Sequence, residues 1–528
     1  MPCLMKKNYP AFRKFILPTV ASALLCSLLI DNVAIAAATA VATDAATGPT
    51  SGPDAADSDR FLVLYPGVPS EHEKAPAAAY FAANAALKAR GPIDVAALIA
   101  GKLPADTPGL GAVIHVTEPW VRYDNNKYDP GDPIRSDKAY AKSLGFQDIL
   151  AYPTFGTNDD IFMVPYPGAA RDKLLVSELN HSVTSYEPIY PGDTLYLVAD
   201  ERNVTDLTPT SGSTYRSLAI ETKGSVYNQH GAKVNDVIFR VVENIRVYKD
   251  RSGVPSNPGF GDIWVGPNWF SRPEHVYTDQ DWATIRDLWS KEKRRGSKPL
   301  YWEDVKVGDM PAWTVDGPID VSVSPIKPWG MGAGGSRTLK SEISDPSVFK
   351  TMVRNDRDGI YRLANPGGAT PPIPQDGVNA DPAADGPKPG EIDTTMIHEG
   401  SIKRSPIVNY EGRDVAIRTI QNWMGDRGWL ENIKWTIMGP RDLAGVGIVA
   451  PGHPQAEYFL DEVPAMKGKH VDTHGLTKDV YIVKSYVTKK YVRNGHFDAD
   501  LVWWIETIDQ HIVEEGKATV SLPTKSQH

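Results

Sequence analysis

Two stretches far apart in this chain echo one another, and the echo restricts the fold more than any other feature. Asn228-Gln229-His230 is followed by GAKVNDVIFRV, and Asp509-Gln510-His511 by IVEEGKATVSL. With a one-residue slip, both read as the same late hairpin. A repeat of that length implies two similar units pressed together and sharing one sheet. Other stretches supply the strands. Segments 174–185, 193–200, 215–223 and 234–247 read as long antiparallel strands of a first unit, with turns at Pro191-Gly192-Asp193 and at 228–231. Segments 429–437, 480–492 and 501–506 read as strands of a second. Helices are expected over the Ala-rich run that ends at Gly91-Pro92 and, shorter, in IDVAALIAGKL. A third runs over 279–295, with Trp282, Ile285, Leu288 and Trp289 at helical spacing. A fourth runs over 410–425, its apolar side carrying Val415, Ala416, Ile420, Trp423 and Met424. The fold class is α+β.

The first 36 residues stand apart. Lys6, Lys7, Arg13 and Lys14 precede an apolar run from Phe15 to Ile30, and Ala34-Ile35-Ala36 follows the small-x-small cleavage pattern. That three-part layout predicts a signal peptide and a periplasmic or secreted protein. A mis-assigned start on a cytoplasmic protein is the alternative. Both cysteines, Cys3 and Cys26, lie in this segment, so the mature chain would hold no disulfide, cysteine nucleophile or thiolate metal site. Cleavage would leave a chain three charges more negative than the −9 of the whole. Such an acidic protein is a poor partner for nucleic acid. No later stretch is apolar for long enough to span a bilayer. Residues 37–60 are Ala, Thr, Asp, Gly and Pro, a solvated linker. The modules are expected at 61–250 and 301–528, joined by a connector at 251–300. The second is interrupted near 343–405 by a Pro-, Gly- and Asp-dense insertion.

The stretch from Asp129 to Phe155 carries the first candidate site. Pro130, Gly131, Asp132 and Pro133 break any helix, Ser136 and Asp137 can cap a short one over 138–144, and Gly145 stops it. Pro153 suits the first turn of a following buried helix. Carboxylates above a helix N-terminus make a plausible anion-handling site.

Here the chain resembles the MaoC-like hydratases and dehydratases of the hydratase 2 type. The resemblance rests on VTEPWVRY, PIRSDKAYA and LGFQDILAYPTF, on LNHSVTSYEPIYPGDTL (179–195) and on GSVYNQHGAKV (224–234). The phrase Tyr301-Trp302-Glu303-Asp304-Val305, then VGD and GPI, resembles the opening of a second half. The resemblance implies a double hot-dog fold, two curved antiparallel sheets each around a central helix. It also implies a hydro-lyase in which an Asp activates water, a His moves the proton alpha to a thioester, and helix N–H groups hold the enolate oxygen. The chain departs from the motif at its centre. Arg135 stands in place of the His and Asp132 in place of the Asn, and the catalytic Asp position falls on Pro130, with Asp129 one place early.

The residues themselves suggest these roles. Asp129 is a candidate base if burial raises its pKa, or else a solvated loop aspartate. Arg135 cannot exchange protons at ordinary pH. With Asp132 it is a candidate substrate clamp, or it merely pairs with neighbouring carboxylates. His398-Glu399 follows the insertion, where a mobile segment can carry an acid–base pair into a site; an exposed histidine is the alternative. His181 is a candidate substrate contact, though alternation can aim it either way. Gly330, Gly332 and Gly335 spell GxGxxG without a surrounding βαβ unit. His470 and His474 have metal-ligand spacing but lie between Gly468 and Gly475 with no third ligand, so no metal and no cofactor is expected. The expected partner is a small acyl or carbonyl compound. The oligomeric state stays open, a homodimer among the options. Export and a coenzyme A thioester conflict, which leaves three readings. They are a periplasmic lyase acting without CoA, a cytoplasmic acyl-CoA dehydratase, and a non-catalytic ligand-binding module.

Overall fold

The computed structural model describes residues 59–250, 275–318, 346–363, 410–437 and 457–527, apart from short breaks. Residues 1–36 and most of the 37–60 linker lie outside the described residues, as do Gly330–Gly335, His398 and His474.

Ten strands form one antiparallel sheet. The first unit gives β1 (Leu110–His115), β2 (Leu174–Ser185), β3 (Thr194–Asp206), β4 (Arg216–Tyr227) and β5 (Lys233–Ile245). The second gives β6 (Thr314–Asp316), β9 (Trp429–Thr436), β10 (Tyr481–Arg493), β11 (His496–Glu506) and β12 (Ile512–Ser521). A separate hairpin, β7 (Met352–Arg354) with β8 (Tyr361–Leu363), lies between β6 and β9 in the chain. The spatial order is β1-β3-β4-β5-β2-β9-β12-β11-β10-β6. It is palindromic: β5 and β12 hold equivalent places, as do β4 and β11, and β2 and β9. The two echoing stretches are therefore the hairpins β4–β5 and β11–β12. This twofold sheet with a helix against it is the double hot-dog arrangement. The seam runs through β2 and β9, which pair from Asn180↔Thr436 to Thr184↔Asn432.

The core crosses the seam. Tyr152, Val183, Ala219 and Val242 of the first unit share one apolar cluster with Ile417, Ile433, Trp435, Leu501 and Trp503 of the second. A second cluster fills the first unit alone, around Leu195, Leu197, Phe239 and Val241. Helix α1 (Lys74–Arg90) lays Ala77, Tyr80, Asn84 and Leu87 inward, the three-four spacing of one helix face. The connector helix, α6 (Asp279–Lys291), is fixed at its start by a reciprocal cap between Thr278 and Asp281. It packs Trp282, Ile285 and Trp289 against Val315, Met352, Ile360, Val480 and Ile482. The helix that follows the insertion, α7 (Tyr410–Met424), packs on the second unit's strands.

Two expectations about helices need correction. The buried helix expected after Pro153 is absent from the described residues 149–157. Phe155 N–H donates to Tyr152 and Thr157 N–H to Thr154, both i to i+3 bonds, and Gly156 then turns to φ +72°. That geometry closes a turn and stops propagation. The helix over 410–425, expected to be apolar on one side only, is buried on its polar side as well. Val415, Ala416, Ile417 and Ile420 are fully buried, but so are Arg413, Asp414, Arg418 and Thr419. A helix enclosed this completely has no solvent face, so its polar groups must find partners inside. Arg413 pairs with Asp414 at 2.7 Å, and Arg418 with Glu292 at 3.3 Å.

Candidate functional site

Thr117 caps α3 (Glu118–Tyr128) by accepting from Trp120 N–H, and Asp129 closes that helix. Asp132 N–H donates to Asp129 O, and a four-residue turn of helix, α4 (Pro133–Ser136), begins at once. Asp137 then caps α5 (Lys138–Ser143), accepting from Ala139 and Tyr140 N–H. Asn125, buried beneath, ties the loop together: its amide donates to Arg135 O at 3.1 Å and Leu150 O at 2.8 Å. These local bonds bring Asp129, Asp132 and Arg135 into one buried cluster.

The counter-charge comes from 165 residues away. Arg294, just past α6, grips Asp129 with both terminal nitrogens and reaches Asp132 at 3.2 Å. Arg135 lies 3.2 Å from the other Asp132 oxygen, donates to Ala151 O and sits 5.2 Å from the Tyr152 ring centroid. The basic run Lys291–Arg295 ends as a strap across the end of α7, where Arg295 donates to Trp423 O at 2.6 Å.

A cavity of about 630 Å³, counting its open mouth, lies beside this cluster. Its apolar walls include Phe146, Leu150, Ile189, Met424 and Trp429. Asp132, Arg135, Asn235, Gln421 and Asp426 face it. Burial, and then the neighbouring Asp129 charge, push the Asp132 carboxyl up to about 6 against the pull of Arg135 and Arg294. The Asn235 amide nitrogen and the Gln421 amide oxygen are buried without a hydrogen-bond partner among the described residues. Both residues line the cavity, but these two amide atoms are closed to its space, so the titratable group on the wall is the Asp132 carboxyl. Tyr140 donates to Asp426 at 2.5 Å, linking α5 to the turn after α7.

The sequence-predicted residues divide accordingly. Asp129, Asp132 and Arg135 come together. Of these, Asp132 and Arg135 reach the cavity, whereas Asp129 is spent on Arg294 behind the wall. His181 does not join them. It is 1% exposed, packed 4.2 Å from the Trp435 ring and 4.7 Å from Phe239 across the seam. Burial and the nearby Arg413 hold it well below the usual histidine range, so it is neutral at pH 7. His398 lies outside the described residues. His470 faces Glu515 at 3.3 Å. The buried helix expected beneath these carboxylates is not among the described residues 149–157: Asp132 instead precedes the four-residue α4, and Gln421, Met424, Gly425 and Asp426 put the cavity at the carboxyl end of α7, which presents carbonyls. Sequence reading missed Arg294, Asn235 and Gln421. A polar residue on an otherwise buried helix face was the signal for Gln421.

No protein-family model matches the chain, and no curated protein matches it in sequence. In three dimensions it is similar to a MaoC-like dehydratase at 13% identity and TM-score 0.39, over 79% of this chain and 97% of that one. It is similar to a MaoC domain protein dehydratase from Chloroflexus aurantiacus at 12% identity and TM-score 0.35, over 79% and 94%. It is also similar to a double hot-dog protein from Mycobacterium tuberculosis at 8% identity and TM-score 0.38, over 82% and 99%. The likeness is one of fold.

Proposed function

We propose that the chain is a hydratase or dehydratase that adds or removes water on a small activated carbonyl compound, with Asp132 as its acid–base group. The observation that carries this is the buried Asp132 carboxyl on the cavity wall, titrating near 6. A general base works best with a pKa close to the working pH. Ionised Asp132 takes the alpha proton and returns it to the leaving hydroxyl as water departs. Arg135 and Arg294 keep enough of the carboxyl ionised for that role.

The test is solvent deuterium incorporation at the alpha carbon of short 3-hydroxy and α,β-unsaturated carbonyl compounds. Asp132→Asn is expected to lower the rate by at least about 10², and the wild-type rate to rise with pH through about 6. An unchanged rate in Asp132→Asn would remove Asp132 from the chemistry. A second reading, a ligand-binding module, is favoured by the cavity's place at a helix carboxyl end, which presents carbonyls rather than N–H donors. Ligand binding without exchange in wild type would support it.

We further propose export, on the layout of residues 1–36, and hence a substrate without CoA. Among the described residues, no helix is long and apolar enough to cross a membrane. Intact mass of the protein from a periplasmic extract should correspond to a chain starting near Ala37. A full-length mass in the cytoplasmic fraction would restore the acyl-CoA reading.

A further inference from the structure

We infer that Glu431, His496 and Asp498 form a binding site for a divalent transition-metal ion of the zinc class, far in sequence from the loop that frames the cavity. Three features of the sheet build it. Residues 494 and 495 make the β10–β11 hairpin turn, with Asn494 at φ +51° and Gly495 at φ +84°, which sets His496 and Asp498 at the start of β11. β9 pairs with β12 through Leu430↔Val520 and Asn432↔Thr519, so Glu431 is the extra residue of a bulge. A bulge re-aims the side chain it frees, and here the Glu431 carboxylate meets the hairpin. One ligand atom from each of the three residues lies within 4.8 Å of the others.

The chemistry of the set points to an ion. His496 Nδ1 is 3.1 Å from a Glu431 oxygen. Tetrahedral zinc, with bonds of about 2.0–2.2 Å, holds its ligands roughly 3.3–3.6 Å apart. Asp498 is 0% exposed, and its Oδ1 is buried with no hydrogen-bond partner among the described residues. A buried carboxyl oxygen left so is costly unless a donor or a cation meets it. The cation beside it now is Arg493. Its Nε donates to Asp498 Oδ2 at 3.1 Å, and a terminal nitrogen reaches both Asp498 Oδ2 and Glu431. That contact leaves Oδ1 unanswered. The Arg493 side chain is half-exposed, so it can swing into water when an ion enters. One imidazole with two carboxylates favours zinc, or a neighbouring first-row ion, over magnesium or calcium. The ion would fasten β9 to the β11 hairpin across β12.

The test is calorimetric titration of Zn²⁺ into the full chain after chelator dialysis, with Mg²⁺ as the comparison. Wild type is expected to bind one Zn²⁺ in a step that is more than about a hundredfold weaker in both His496→Ala and Asp498→Asn, beyond what losing an outer partner generally costs. Arg493→Ala is expected to bind more tightly than wild type, because the competing cation is gone. His496 is exposed at a turn, so its removal leaves the fold intact for the comparison. Zinc binding that is absent, or equal in wild type and His496→Ala, overturns the site. Tighter binding of Mg²⁺ than of Zn²⁺ overturns the assignment of the ion.

Discussion

Arg294→Ala is expected to destabilise the chain by about 3–5 kcal/mol at pH 7, the usual cost of stripping one partner from a buried ion pair. Arg294 grips Asp129 through two nitrogens and touches Asp132, and both carboxylates are 2% exposed. Without it, Asp132 keeps Arg135, but Asp129 loses its bidentate partner in a dry site. The Arg294 side chain is 22% exposed, which places the loss toward the lower end of that range. The pH dependence has a definite sign. Carboxyls deprived of a cation acquire a folded pKa above the unfolded one, so the variant's native state binds extra protons as pH falls. The gap to wild type should therefore narrow between pH 7 and pH 5, as read from urea midpoints at each pH. Arg294→Lys should fall between the two, since it keeps the charge but loses the fork. Pairing Asp129→Asn with Arg294→Met should recover much of the loss, because the unpaired charge is then gone. A loss below about 1 kcal/mol for Arg294→Ala would mean the pair behaves as an exposed one.

That arginine also shows where sequence reading reaches its limit. The strands were legible because alternation and turn residues are local: β2 runs over the expected 174–185, and α7 begins at the expected Tyr410. The twofold sheet was legible because the two late hairpins repeat. The short capped helix after Asp137 was legible because a cap is a contact between residues two or three apart. The site was legible only where its parts lie close in sequence, as Asp129, Asp132 and Arg135 do. The partner that decides which carboxylate stays free is contributed by the connector, and no local pattern in a basic run announces that it folds back. His181 was ambiguous for a related reason. Alternation gives the face of the strand, but only the packing of β2 against β9 makes that face core rather than cavity. Asn235 and Gln421 carry no motif. The sheet and α7 bring both residues to one wall of the cavity.

Glu243→Gln is expected to stabilise the chain, and to do so only above acidic pH. Glu243 lies on β5 between Leu218 of β4 and Val176 of β2, fully buried. One carboxyl oxygen accepts from Tyr166 N–H at 2.8 Å, while the other has no partner among the described residues. Burial pushes its pKa from 4.5 up to about 8. The folded chain therefore holds this proton at neutral pH, whereas the unfolded chain releases it above about 4.5. Between those values the native state binds more protons, so wild-type stability is greatest below pH 4.5 and falls as pH rises toward 8. A glutamine fills the same space, accepts from the same N–H and has no proton to lose. Its advantage grows by about 1.4 kcal/mol per pH unit, reaching on the order of 3 kcal/mol at pH 7, and levels off above pH 8, where the wild-type carboxyl ionises in place. Denaturation of both proteins from pH 4.5 to 8.5 would show the two stabilities close together at the acid end and diverging upward. Parallel curves would mean that Glu243 is already ionised in the native state, and that the interior of the first unit is wetter than its packing shows.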